Sequence, residues 1–272
     1  MIHPERFEGD NRMKEQNQKY SKGTRHLLRI VLIALFAGMA YVALTVFRIP
    51  YPAPVGTPFI HLGNMVVILA ALLIGGWQGG LSGSIGMGLF DLIFYPTSAF
   101  KTVILKFGIG LFTGLVARLG RGEKSRHPYW GLGTASAVSL VIGGILLFGK
   151  LSGQESFAAV PAIACVFLLT LGVLLALVLL VAVCRKKGDP EILFAILGAV
   201  SGIAFNVAGE FVFGTVEKVL AGSALPVAMG LALASLPATF INGAFSIVGA
   251  ILLYVPIKAA LHRAHLDDLL VK

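Results

Sequence analysis

The chain has 272 residues, of which 57% are apolar and only 13% charged, and its formal net charge is +9. A soluble chain carries about 25% charged residues to cover its surface, so this composition excludes a soluble enzyme. The cations gather in short stretches between apolar runs, which is a membrane-topology pattern and not the footprint of a nucleic-acid binder.

The first 26 residues, through His26, are polar and mixed in charge, and they read as a cytoplasmic tail. The first apolar run, 27–47, has no small-residue cleavage signal at its end, so a retained first helix is expected rather than a signal peptide. Pro50, Pro52, Pro54 and Pro58 cannot continue a helix, which makes 48–60 a loop. Runs 61–77 and 79–95 follow, separated by a tight connection that we read around Gly75, Gly76, Gly79 and Gly80. After Tyr95, Pro96, Thr97 and Ser98 come 100–119, 130–149 and 160–184, the last ended by Arg185, Lys186, Lys187, Gly188, Asp189 and Pro190. Runs 191–213 and 231–260 close the series, and 264–272 reads as a second polar tail. Runs of this length reach across about 30 Å of hydrocarbon. The expected fold is therefore all-α, a single polytopic membrane bundle over 27–263 with about eight transmembrane helices. Cys165 and Cys184 lie at opposite ends of one run, too far apart to pair, and match no metal spacing.

Lysine and arginine set the orientation. The N-terminal tail, the loops after the fourth and sixth runs and the C-terminal end together hold seventeen of them, while the alternate loops hold only Arg48, Lys150 and Lys218. That asymmetry places both termini in the cytoplasm and requires an even number of helices.

Polar side chains inside a span are costly and point to function. Here they are His61, Asn64, Asp91, Lys101, Lys106, Asn206, Glu210 and Asn242, and with the orientation above all eight fall in the outer half of the membrane. The inner halves show small residues at helical spacing: Gly198 and Gly202 before Asn206 and Glu210, Gly110 and Gly114 after Lys106, Gly80, Ser84 and Gly88 before Asp91, Ser246 and Ala250 after Asn242. Small residues let membrane helices approach closely. The bundle should therefore be tight toward the cytoplasm, with a polar cavity open outward. A plainer reading stands beside it, in which Asp91 and Glu210 form buried ion pairs with Lys101 and Lys106, and Lys101 and His61 sit at the interface. No phosphate-binding Gly-rich loop, His-Glu-x-x-His or Gly-x-Ser-x-Gly motif occurs, so no enzyme activity, cofactor or metal is expected.

The segment from Phe59 to Gly120 resembles the substrate-binding S component of energy-coupling factor (ECF) vitamin transporters, of the riboflavin-transporter-like branch. The resemblance rests on Leu62-Gly63-Asn64 at the start of the second helix, a Gly-rich third helix ending in Asp91, and Lys106, Gly110 and Gly114 in the fourth. The stretch from Leu236 through Pro237, Asn242 and Gly243 to Tyr254 is similar to the family's last helix. Ala34 and Gly38 resemble its Ala-x-x-x-Ala docking motif, with Gly in place of the second Ala. The family usually has six helices, so about 130–184 reads as an inserted hairpin. The resemblance implies capture of a small water-soluble vitamin under a lid formed by 48–60, and partnership with a transmembrane coupling subunit and two ATPase subunits. On the residues, Asn64, Asp91, Lys106, Asn206, Glu210 and Asn242 are the candidate substrate-binding set, with the lysine and asparagines donating and Glu210 accepting. The rival readings are a stand-alone proton-coupled transporter using Asp91 or Glu210, and an intramembrane enzyme or scaffold.

Overall fold

The computed structural model describes residues 22–50, 59–121, 129–153, 162–185, 189–264 and 266. Pro52, Pro54, Pro58, Lys124, Arg126, Lys186, Lys187 and most of both tails lie outside the described residues. Eight helices run through the rest: α1 Lys22–Val46, α2 Gly63–Ile74, α3 Gly76–Phe94, α4 Ala99–Arg118, α5 Tyr129–Leu151, α6 Ala162–Arg185, α7 Pro190–Leu220 and α8 Leu225–Arg263. Two short strands, β1 Ile49–Pro50 and β2 Phe59–Ile60, pair antiparallel between α1 and α2. Among the described residues five helices are long and apolar enough to cross a membrane: α1, α4, α5, α7 and α8.

Helix α2 departs most from expectation. It has 12 residues, and the connection after it is a single residue, Gly75, at φ 104°, a conformation that favours glycine. Gly76, Gly79 and Gly80 belong instead to the first turns of α3. Their role is close approach. A Cβ on Gly76 would lie 2.9 Å from the Gly110 carbonyl oxygen, and one on Gly79 only 2.4 Å from the Ala71 nitrogen. Nearly every side chain of α2 is buried, because α1, α3, α4, α7 and α8 all touch it. That is why the helix is apolar on every face instead of along one stripe.

The last two helices are longer than their apolar runs suggest. α7 continues to Leu220 and α8 starts at Leu225, leaving a short turn containing Gly222 at φ 94°. Pro237 and Pro256 lie inside α8, each removing one backbone hydrogen bond there.

The small-residue stripes do bring helices close, but not stripe to stripe: Gly110 and Gly114 of α4 pack on Gly80 and Gly76 of α3, while Gly198 and Gly202 of α7 pack on another face of α4. A Cβ on Gly198 would reach the Thr113 carbonyl at 2.5 Å, and one on Gly202 the Ile109 carbonyl at 2.6 Å. Gly86 of α3 sits as closely against Ala37 of α1. α5 and α6 pack chiefly on each other, with the Ser136 hydroxyl donating to the Gly172 carbonyl at 2.8 Å. This hairpin reaches the other helices through α6 against α8, and through Leu132 and Leu175 against Leu193, Leu197 and Val200 in the first half of α7. Five of the remaining helices surround the sixth, α2, without it.

Candidate functional site

Beyond the glycine contacts, α4 and α7 carry polar side chains toward the same end of the bundle, and there the helices leave a cavity of about 440 Å³. All eight polar residues picked out from the spans line it: His61, Asn64, Asp91, Lys101, Lys106, Asn206, Glu210 and Asn242. They arrive from α2, α3, α4, α7 and α8 and the turn after β2, with Leu44 of α1 completing the wall. α5 and α6 contribute no residue to the lining.

The floor is made by three buried side chains, Lys106, Asn206 and Asn64. The Lys106 ammonium donates to Asn206 Oδ1 at 3.1 Å, and both residues are buried. Among the described residues no carboxylate lies within ion-pair distance of Lys106 and Asn206 is its hydrogen-bond acceptor, so two of its three donors remain for a molecule in the cavity. Asn64 is 2% exposed and its Oδ1 has no hydrogen-bond partner. A buried acceptor left without a donor costs roughly 1–3 kcal/mol, which a bound molecule or water would recover.

The other candidates are more fully committed to the protein. Asp91 Oδ2 accepts from the Thr102 hydroxyl, and from Ser98 Oγ at 3.2 Å. Glu210 pairs with Lys101 at 3.4 Å, and Lys101 also pairs with Glu217 at 3.3 Å. The ion-pair reading therefore holds for Glu210, whereas Asp91 is held by hydroxyls. Asn242 uses both ends of its amide on strand β2 and the residue that follows it: Oδ1 accepts from the His61 N–H at 2.7 Å, and Nδ2 donates to the Phe59 carbonyl at 3.0 Å.

An aromatic corner closes one side. Phe59 stacks on Tyr95 with centroids 6.3 Å apart, Phe90 lies 6.1 Å from Tyr95, and Phe59 is 5.7 Å from His61. Outside this corner the Arg48 guanidinium sits 5.5 Å over Phe59, 5.2 Å over Phe90 and 5.9 Å over Phe94, a cation–π arrangement.

Sequence reasoning missed several lining residues. Glu217 and Lys218 lie past the assumed end of the seventh helix, although Glu217 is seven residues after Glu210 and so on the same helical face. Phe59, Tyr95, Ser98 and Thr102 carry no signal that separates them from ordinary loop and helix residues. A second cluster, at the opposite end of the bundle, was also missed. Glu191 accepts from the Tyr254 hydroxyl at 2.8 Å and pairs with Lys258, and Arg121 Nε lies 3.6 Å from it. The Arg121 guanidinium also donates to the Leu72 carbonyl, so three chain segments meet at one carboxylate and α2 joins them through Arg121.

On the outer side of α1, Ala34 and Gly38 are exposed and line an apolar groove of about 600 Å³ with Leu35, Met39, Leu62 and Met65. Among the described residues, no atom beyond its own helix turn lies within 4 Å of where a Cβ on Gly38 would stand.

A helical bundle with long apolar spans and a polar chamber at one end defines a multi-pass membrane protein. Residues 25–185, more than half the chain, match the model of the family described as ECF-type riboflavin transporter, S component, and the chain belongs to that family. The match takes in α1 to α6; the α7 and α8 walls of the cavity lie beyond it. A protein of Pyrococcus woesei, described as an uncharacterized protein in the gap 3' region, is 37% identical over 67 residues. That similarity covers 25% of this chain and 44% of the relative. No solved structure matches the chain.

Proposed function

We propose that this chain is the substrate-capture subunit of an ECF-type transporter importing a small water-soluble vitamin or related heterocycle. The observation that carries this reading is the convergence of eight polar side chains from five helices and one turn on a single cavity, in a chain otherwise built of apolar spans. Family membership supports the transporter class, and riboflavin is the first ligand to try. Lys106, Asn64 and Asn206 are the groups with donors or acceptors to offer a ligand, joined at the rim by Asp91 and Glu210; Asn242 completes the wall. The positive-inside asymmetry supports a cavity that opens outward, with both termini cytoplasmic.

A chain with no nucleotide-binding motif needs partners to use ATP. The exposed groove at Ala34 and Gly38 supports docking on a transmembrane coupling subunit, which would in turn engage two ATPase subunits. A backbone exposed at Gly38 suits close helix–helix contact in lipid.

The test is direct. Purified protein should bind riboflavin without ATP, and Asn206→Ala and Glu210→Ala should each weaken binding; unchanged affinity in both variants sinks the site assignment. Gly38→Leu should retain ligand binding while losing co-purification with the coupling subunit.

A second reading draws on Asp91, a cavity carboxylate held by hydroxyls and not by a cation. In that case the chain is itself a proton-coupled transporter. Uptake into proteoliposomes containing this chain alone, driven by a pH gradient, separates the two.

A further inference from the structure

Strand β2 poses a hydrogen-bonding problem. Along an antiparallel strand the backbone groups of successive residues point alternately to its two edges. β1 covers one edge of β2, with Ile60 opposite Ile49 and Phe59 opposite Pro50, which has no N–H. Away from bulk water, a backbone group without a partner is expensive. The Asn242 amide meets this need on its own: its oxygen takes the His61 N–H and its nitrogen gives to the Phe59 carbonyl, as a neighbouring strand would. Asn242 is 6% exposed, so few of its polar atoms remain for anything else.

We infer that Asn242 is a positioning residue, which acts on the bound ligand through strand β2 by setting the Phe59 ring and the His61 imidazole in the cavity wall. This rests on the proposed capture function. Both side chains line the cavity, and the Phe59 ring is held from its other side by Arg48 and Tyr95. With the backbone fixed at Phe59 and His61 and the ring fixed by its neighbours, the wall is already formed before a ligand arrives. Asn242 therefore governs how long a ligand stays more than how fast it comes.

The experiment uses the full-length chain in nanodiscs with riboflavin as the probe. Release rates are measured for wild type, Asn242→Ala, Phe59→Ala and the double variant. Asn242→Ala should speed release about ten-fold, the scale of two lost hydrogen bonds, with association changed by less than about two-fold. In the Phe59→Ala background the same change should add only about three-fold, the part that acts through His61, because residues sharing a contact are not additive. Asn242→Asp, which keeps the acceptor for the His61 N–H, should recover part of the loss. Fully multiplicative effects would mean that Asn242 touches the ligand itself, and no effect of Phe59→Ala would remove the strand from the site; either overturns the inference.

Hydrogen exchange in the ligand-free protein gives an independent arm. The His61 amide should exchange about ten-fold faster in Asn242→Ala, with Asn242→Asp close to wild type. Unchanged exchange overturns the strand assignment whatever the ligand. A wild-type chain that binds no riboflavin counts against the proposed function, while the exchange result alone then decides the role of Asn242.

Discussion

The two ends of this bundle are built from the same helices by opposite means. Between α4 and α7, glycines at 198 and 202 bring backbones together over Ile109, Thr113 and Ala117. Two turns further along the same pair, Asn206, Glu210 and Glu217 face Lys106 and Lys101, and the helices leave open space. At the closed end, charge acts as a tie: Glu191 gathers Tyr254, Lys258 and Arg121. At the open end, charge is only partly matched, with Lys106 and Asn64 left able to form further bonds. The contrast teaches that polar groups in a membrane bundle are read by their unmet valence, not by their presence.

That contrast can be broken at several places. The largest effect should come from Gly110→Leu, since even a Cβ there would stand 2.2 Å from the Gly80 nitrogen. Backbone cannot yield as a side chain can, so we expect a loss at or above the roughly 1–3 kcal/mol of ordinary overpacking, seen as little monodisperse protein and a lowered unfolding midpoint. Lys106→Met should leave folding intact, or improve it by removing a buried charge. It should weaken riboflavin binding about 10- to 100-fold, the range for a hydrogen bond to a charged group, measured by equilibrium titration. Glu191→Gln should do the reverse, lowering thermal stability by about 1–3 kcal/mol with affinity within about two-fold of wild type. Trp130→Ala, on the face of α5 that is 88% exposed at that residue, should change neither quantity by more than about 0.5 kcal/mol. If Glu191→Gln abolished binding, or Lys106→Met left it unchanged, the division of labour between the two ends would be wrong.

Much of this arrangement was legible in the residues. The eight helices follow from apolar length, and the polar and small-residue stripes follow from a period near four along single helices. Those are local properties, visible without knowing what packs where. Partnerships were not visible. That Asp91 is held by Thr102 and Ser98, or that Glu191 meets Tyr254 63 residues later, depends on how helices are placed in three dimensions. The division between α2 and α3 was misread for a different reason. Gly75, Gly76, Gly79 and Gly80 look alike as letters, yet one takes a turn conformation and the others bring helices close. Lys101 and Glu210 show the same limit from the other side: an ion pair between them is among the sequence readings, but the share taken by Glu217 depends on an α7 longer than hydropathy suggests.

The brevity of α2 has a consequence for cargo. Twelve residues of helix measure about 18 Å, well short of a hydrocarbon layer of about 30 Å. Because α2 begins at the cavity floor and ends at the Arg121 tie, the proposed capture function would hold a ligand at Asn64 only one short helix away from the tied end of the bundle.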